Sequence, residues 1–229
     1  IETENIFIVD DNFLTNSIRL ENFCDELEKR KIRKKFIVYG TSHFISKHES
    51  TIARLKANGL IAVIVGFEYI NDQNLEHVHK GTTALENDRT IGICNKYDIE
   101  LYALFICNPD WHHTDFRQLF RYIRKNKIQF ATFSTETIMP GTDLALETNT
   151  VFDSQKMWRY DLLRLHKKPA YITPFSYYLW LFILYLSPVY GWSSLKYIFK
   201  KYGFLRGTRT ILMSVYYGIA YFTKIIIWR

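Results

Sequence analysis

Apolar runs recur along the first 136 residues, and each one stops at a small or polar cluster that opens a helix-like stretch. The first is Asn5-Ile6-Phe7-Ile8-Val9, ending in Asp10-Asp11-Asn12-Phe13. The second, Phe36-Ile37-Val38-Tyr39, ends in Gly40-Thr41-Ser42-His43. The pattern predicts strands over residues 5–10, 36–39, 61–67, 100–107 and 129–134. Between them it predicts helices over residues 15–31, from about 46 or 49 to 58, over 72–78, over 83–97 and over 115–125. Ile18, Phe23 and Leu27 are the inward candidates of the first helix. Asn58-Gly59 reads as a C-terminal cap, and Thr114 as the N-cap of the helix from residue 115. Strands alternating with amphipathic helices imply parallel βα units. Five units do not close an eight-stranded barrel, so the expected fold is α/β, a partial (β/α) TIM-type barrel followed by a C-terminal helical tail.

In a parallel barrel, chemistry belongs to the carboxyl ends of the strands. The acidic groups at those ends therefore stand out: Asp10-Asp11, Glu68 after Val63-Ile64-Val65-Gly66-Phe67, and Glu136 after the fifth strand. Glu68 is hard to explain structurally, because a carboxylate closing an apolar strand is costly unless it is paired. Asp10-Asp11-Asn12 has a competing reading as a turn and helix cap.

These strand ends resemble the radical S-adenosylmethionine superfamily, in the branch that carries a cobalamin-binding domain. Residues 7–13 resemble that branch's second strand. Gly66-Phe67-Glu68 resembles its Gly-x-Glu-Ser element, with Tyr69 in place of the Ser. Asn108-Pro109 falls where the family has a Gly-x-Pro turn. Met139-Pro140-Gly141-Thr142 resembles its Pro-Gly-Thr element, and Trp158-Arg159-Tyr160-Asp161 with Lys168-Pro169 resembles its closing segment. The likeness runs over about residues 3–168. It implies an enzyme that reductively cleaves S-adenosylmethionine to a 5′-deoxyadenosyl radical. Hydrogen abstraction follows, with cobalamin-linked methyl transfer or rearrangement on an apolar substrate. It assigns Asp10, Asp11 and Asn12 to the amino-acid end of S-adenosylmethionine, and Thr41 and His43 to its carboxylate. Glu68 goes to the ribose or the ammonium, and Asn108 and Thr135 to the adenine side. The family's Cys-x-x-x-Cys-x-x-Cys loop, which binds the [4Fe–4S] cluster, does not occur in this sequence. The resemblance therefore implies a C-terminal part of such an enzyme, inactive by itself, with cluster ligands and cobalamin domain upstream. A reductant protein would serve the parent. A different barrel enzyme using Asp11, Glu68 and Glu136 as acid/base carboxylates is the alternative, and a non-catalytic membrane-associated module is a third.

Composition divides the chain near residue 150. Residues 1–150 carry 18 Lys and Arg against 21 Asp and Glu, whereas residues 151–229 carry 12 against two. The second part also holds 21 of the 38 aromatic residues. The expected organisation is a partial barrel over 1–150 and a basic, aromatic-rich helical region over 151–229. The uninterrupted apolar run at residues 177–186 is half the roughly 20 residues that a spanning helix needs. Tyr- and Trp-rich helices with basic flanks suit either barrel packing or a membrane interface. Peripheral membrane contact and a lipid-like or other small-molecule substrate are the expectations, with no nucleic-acid partner. Three scattered cysteines indicate a reducing compartment, hence a cytoplasmic location with contact to the inner membrane face. The chain opens on Ile1 with a strand close behind, which reads as a piece of a longer protein without a signal peptide. His112-His113 near Asp110 and Asp115, and His77 with His79, lack metal-site spacing, so no metal ligands are expected.

Overall fold

A computed structural model describes residues 3–78, 80–152, 157, 160–187 and 192–227. His79, Trp158, Arg159, Pro188, Gly191 and Trp228 lie outside the described residues. The elements run β1 (Asn5–Phe7), α1 (Ser17–Lys29), β2 (Lys35–Gly40), α2 (Ser42–Lys47), α3 (Glu49–Ala57), β3 (Leu60–Glu68), α4 (Asp72–His77), α5 (Ala84–Lys96), β4 (Glu100–Cys107), α6 (His113–Lys125), β5 (Phe130–Thr135), α7 (Asp143–Glu147), α8 (Pro174–Leu186) and α9 (Trp192–Ile227). The five strands form one sheet in the order β1-β2-β3-β4-β5. β1 to β4 pair in parallel, with registers Phe7 on Ile37, Val38 on Val63 and Val65 on Ala103. Sequential order with a helical crossover between neighbours is the (β/α) barrel pattern, and the fold is a partial barrel of five parallel strands with helices between them.

The chain forms two compact units. One comprises Ile1–Phe105 with Ile128–Thr132, the other Ile106–Lys127 with Phe133–Arg229. Residue 150, where the composition shifts, lies inside the second unit.

In the first unit β3 is the spine. Leu60, Ala62, Val63, Val65 and Phe67 are buried, as expected of a parallel strand covered on both faces. Leu20 and Cys24 of α1, Ile45 of α2, and Ile52 and Leu55 of α3 are also fully buried. Burying a side chain of this size contributes about 1.5–3 kcal/mol relative to exposure. At Gly40 a Cβ would fall 2.6 Å from Leu14 Cδ1, so glycine permits the bridge that joins Leu14 to the end of β2. Arg54 ties α3 to α1, reaching Glu21 at 2.6 Å, Asp25 at 2.5 Å and Glu28 at 3.3 Å.

Several expected boundaries move. β1 stops at Phe7, and Val9 is 78% exposed; only the Ile8 amide continues the ladder, donating to Ile37 O at 3.0 Å. Ile18 faces solvent at 71% exposure, because the Asn16 cap starts α1 at a phase that turns Leu20 and Cys24 inward. The second predicted helix is two, α2 and α3, separated at His48, whose φ of −124° is not helical. α6 starts at His113 and not after Thr114, because the Asp115 carboxylate accepts the His112 amide at 2.8 Å.

In the second unit α8 is a packed helix. Thr173 caps it and Pro174 occupies its first turn. Tyr177 and Leu184 are fully buried. The Tyr177 hydroxyl donates to Cys107 O at 2.8 Å, and the Tyr185 hydroxyl donates to Phe133 O at 2.7 Å. Burial pushes the Tyr185 phenol up.

Candidate functional site

Within the first unit, three strand ends carry polar groups. After β1, the Asp10 carboxylate accepts the Asn12 amide at 3.1 Å and Arg19 at 3.4 Å. Arg19 also donates to Phe13 O and lies 5.1 Å from that ring's centroid. This is a closed turn with one carboxylate committed and with Asp11 and Asn12 exposed.

After β2, the Thr41 hydroxyl caps α2 by accepting the Phe44 amide at 3.2 Å. His43 Nδ1 lies 3.1 Å from Glu86 Oε1, and Lys47 lies 3.5 Å from the same oxygen. The other Glu86 oxygen closes the α5 capping box on Thr83 and accepts the Thr82 hydroxyl at 2.9 Å. These hydrogen bonds, with His43 and Lys47, hold its carboxyl below the usual range against the opposing effect of burial, which is the largest single influence.

The end of β3 is different. Glu68 has φ +57°, and the pairing register with β4 shifts between Gly66 and Glu68. The Tyr69 amide donates back to Phe67 O at 2.7 Å, so Glu68 sits at the centre of a γ-turn with positive φ, a sparsely populated conformation. Lys31, Asp98, Lys127 and Asn149 also have positive φ just past a helix C-terminus, where that conformation is the common cap, and Leu162 has it in a loop. Glu68 closes a strand instead. Strain of this kind, of order 1–3 kcal/mol, persists where the surroundings over-determine it. The determinant is Asn87, buried on α5, whose amide donates to Phe67 O and Tyr69 O at 3.3 Å each. The turn returns the Glu68 carboxylate over the strand, where Oε1 meets Lys80 Nζ at 2.6 Å. A Cβ on residue 66 would come within 2.3 Å of Glu68 Oε1 and 2.8 Å of Lys80 Nζ. Glycine at 66 therefore leaves the space that the ion pair fills.

The first-unit groups are not bonded to one another. Asp10 is engaged by Arg19, His43 by Glu86, and Glu68 by Lys80.

In the second unit, Asn108 and Glu136 come together: the Asn108 amide donates to the Glu136 carboxylate, and the Glu136 backbone amide donates to Cys107 O at 3.0 Å. Asn108 Oδ1 accepts the Asp110 amide at 2.7 Å. Thr135 is buried, its hydroxyl donating to Leu163 O at 3.1 Å and its amide to Leu162 O at 2.6 Å. Asp110 pairs with Lys167 at 2.5 Å, His112 stacks on Tyr171, and Trp180 donates to His113 Nδ1 at 2.7 Å. No group of three or more potential metal ligands occurs among the described residues.

Sequence reasoning missed Lys80 and Asn87. Lys80 is the sole Lys or Arg between Lys56 and Arg89, a signal that was available once Glu68 needed a partner. Nothing local marks Asn87, which acts across 18 and 20 positions.

Among the described residues the three thiols do not gather into a group that could ligate a cluster. Cys24, Cys94 and Cys107 are buried. Desolvation raises the Cys24 thiol to about 11 and the Cys94 thiol to about 12, and Cys107 higher still.

No family model matches the chain. Among characterised proteins it is 29% identical over 138 residues to bacteriochlorophyllide d C-12(1)-methyltransferase of Chlorobaculum tepidum, covering 58% of the chain and 29% of that enzyme. It is 27% identical over 140 residues to bacteriochlorophyllide d C-8(2)-methyltransferase of the same organism, covering 60% and 30%. The chain thus spans about three-tenths of the length of these relatives. Among solved structures, the fold matches the cobalamin-dependent S-adenosylmethionine radical enzyme OxsB with aqua-cobalamin and S-adenosylmethionine bound, at TM-score 0.55 and 11% identity over 92% of the chain and 37% of that protein. It also matches the radical S-adenosylmethionine methyltransferase TsrM from Kitasatospora setae, at TM-score 0.51 and 16% identity over 63% and 30%. In its strand-end motifs and in its fold, the chain resembles the cobalamin-dependent branch of the radical S-adenosylmethionine superfamily.

Proposed function

We propose that this chain supplies S-adenosylmethionine-holding strand ends of a radical S-adenosylmethionine methyltransferase acting on an apolar small molecule. The observation that carries this reading is the Glu68 turn: a strained carboxylate, placed over Gly66 and paired with Lys80. The amino-acid end of S-adenosylmethionine is a zwitterion. Its ammonium matches the Glu68 carboxylate and its carboxylate matches Lys80, so binding exchanges one charge pair for two. With both side chains largely but not fully buried, at 19% and 29% exposure, the exchanged pairs are screened less than surface ones. Asp11 and Asn12 are exposed after β1 in the same unit.

When bound, S-adenosylmethionine supplies an activated methyl or deoxyadenosyl group; this chain's residues bind and orient it. The reductive cluster, its reductant and cobalamin belong to residues that this chain does not contribute. The names of the curated relatives support methyl transfer as the reaction type.

Equilibrium dialysis of radiolabelled S-adenosylmethionine against the full-length protein tests the proposal. Glu68→Gln and Lys80→Met are each expected to weaken binding at least tenfold, while Glu76→Gln on exposed α4 leaves it unchanged. Unaltered affinity in both Glu68→Gln and Lys80→Met refutes the assignment. Anaerobic reconstitution should in addition release 5′-deoxyadenosine from the wild-type protein.

A further inference from the structure

α9 is one element in name but two in geometry. Gly203, at φ +74° and ψ +170°, breaks it, and Phe199 stacks on Phe204 across the break at 5.6 Å. Beyond the break one side faces α8: Phe222 lies 5.5 Å from the Phe182 ring and 6.3 Å from Phe175, and a Cβ on Gly218 would touch Phe182 at 3.4 Å. Leu205, Leu212, Tyr216 and Ile219 are spaced by seven, four and three residues, which puts them on one other side of the helix. They are 84%, 63%, 63% and 50% exposed. A largely apolar stripe of this kind in water marks an interaction surface.

The charges around it identify the partner. Lys196, Lys200, Lys201, Arg206 and Arg209 are all exposed, and from residue 162 to residue 229 the chain has no Asp or Glu. Thr208, Thr210, Ser214 and Thr223 donate their hydroxyls to carbonyls of the preceding turn, at 2.8–3.0 Å, so these groups ask little of the solvent. Among the described residues no helix is long and apolar enough to cross a membrane. Cations with exposed Leu and Ile fit a surface that is both anionic and oily. A nucleic acid satisfies only the cations, and an apolar protein groove only the stripe.

We infer that the second limb of α9 lies in the plane of an anionic lipid bilayer, with Leu205, Leu212, Tyr216 and Ile219 in the acyl boundary and Arg206 and Arg209 at the phosphates. The inference stands independently of S-adenosylmethionine binding, because it uses no strand-end residue.

Vesicle co-sedimentation of the full-length protein tests it. Vesicles of phosphatidylglycerol and phosphatidylcholine in equal parts should retain at least tenfold more protein than phosphatidylcholine alone, and 0.5 M salt should reduce the difference. Leu205→Ser with Leu212→Ser, and separately Arg206→Glu with Arg209→Glu, should abolish retention while leaving the melting temperature and S-adenosylmethionine binding unchanged. Should a variant fail to fold, Leu212→Cys carrying a polarity-sensitive fluorophore gives the second readout, since the three native thiols are buried. Its emission should shift to the blue on anionic vesicles. Equal retention on neutral vesicles, retention that survives both double substitutions, an unshifted probe, or self-association into dimers without vesicle binding each overturns the inference.

Discussion

At the scale of single residues, the end of β3 couples strain to charge. Glu68 occupies positive φ because Asn87 clamps the carbonyls on either side of it. Asn87→Leu should leave Phe67 O and Tyr69 O without this donor, at about 1–3 kcal/mol. It should also release the turn, so that S-adenosylmethionine affinity falls although residue 87 has no charge to offer; thermal melting and dialysis together read both effects. Gly66→Ala separates the roles further. Its methyl group contests the space of the ion pair, so we expect weakened binding with an intact far-ultraviolet spectrum. Glu68 itself was legible from sequence, because a carboxylate closing an apolar run demands a reason. Its partners were not: Lys80 is twelve positions away and Asn87 nineteen, and no local periodicity encodes such pairings.

At the scale of elements, the alternation of strand and helix was legible almost throughout, since β3, β4 and α5 follow burial periods that the sequence displays. What the pattern misplaced was phase. Asn16 starts α1 and turns Ile18 outward, and His48 divides α2 from α3, because caps act through side-chain geometry and not through hydropathy. The α1–α3 clamp on Arg54 has a pH signature. Hydrogen bonds from Arg54 hold the Glu21 carboxyl below its usual range, and those from Asn58 and Arg54 do the same for Glu28. A depressed folded-state value contributes stability that is fully present above the unfolded-chain value, about 4.3 for Glu, and is lost as pH falls through the folded value. The melting temperature of the wild type should therefore fall below about pH 4. Arg54→Met should melt lower at pH 7 but converge on the wild type at pH 3; parallel curves would contradict this account. In α8, Tyr177→Phe removes the bond to Cys107 O, and a loss of about 1 kcal/mol in urea unfolding is expected.

At the scale of the whole molecule, the composition pointed to a change of partner along the chain, and the bilayer inference drawn from α9 is one form that such a change would take. α8 spends most of its aromatic residues on packing, although Phe175 is exposed, whereas α9 keeps several of its apolar side chains in solvent. Sequence alone could not separate these outcomes, because both helices are apolar and only tertiary contact decides which face is covered. All three thiols are enclosed and poorly ionised. Ellman's reagent should accordingly titrate none of them in the folded protein within minutes and all three in denaturant; fast labelling of a native thiol would show that a core opens readily.

The break at Gly203 also bears on amide exchange. A continuous helix frays from its ends, where donors lack partners. In α9 the non-helical residue interrupts the ladder near its first third and creates a second set of unpaired donors in the interior. Deuterium uptake should therefore show an early-exchanging window just after residue 203, flanked on both sides by slower amides. The element would open from within before it opens from either end. Gly207 is the counterpoint: a Cβ there would meet the Phe199 ring at 2.8 Å, so one glycine permits the bend by its dihedral freedom and the other permits the two limbs to close around it.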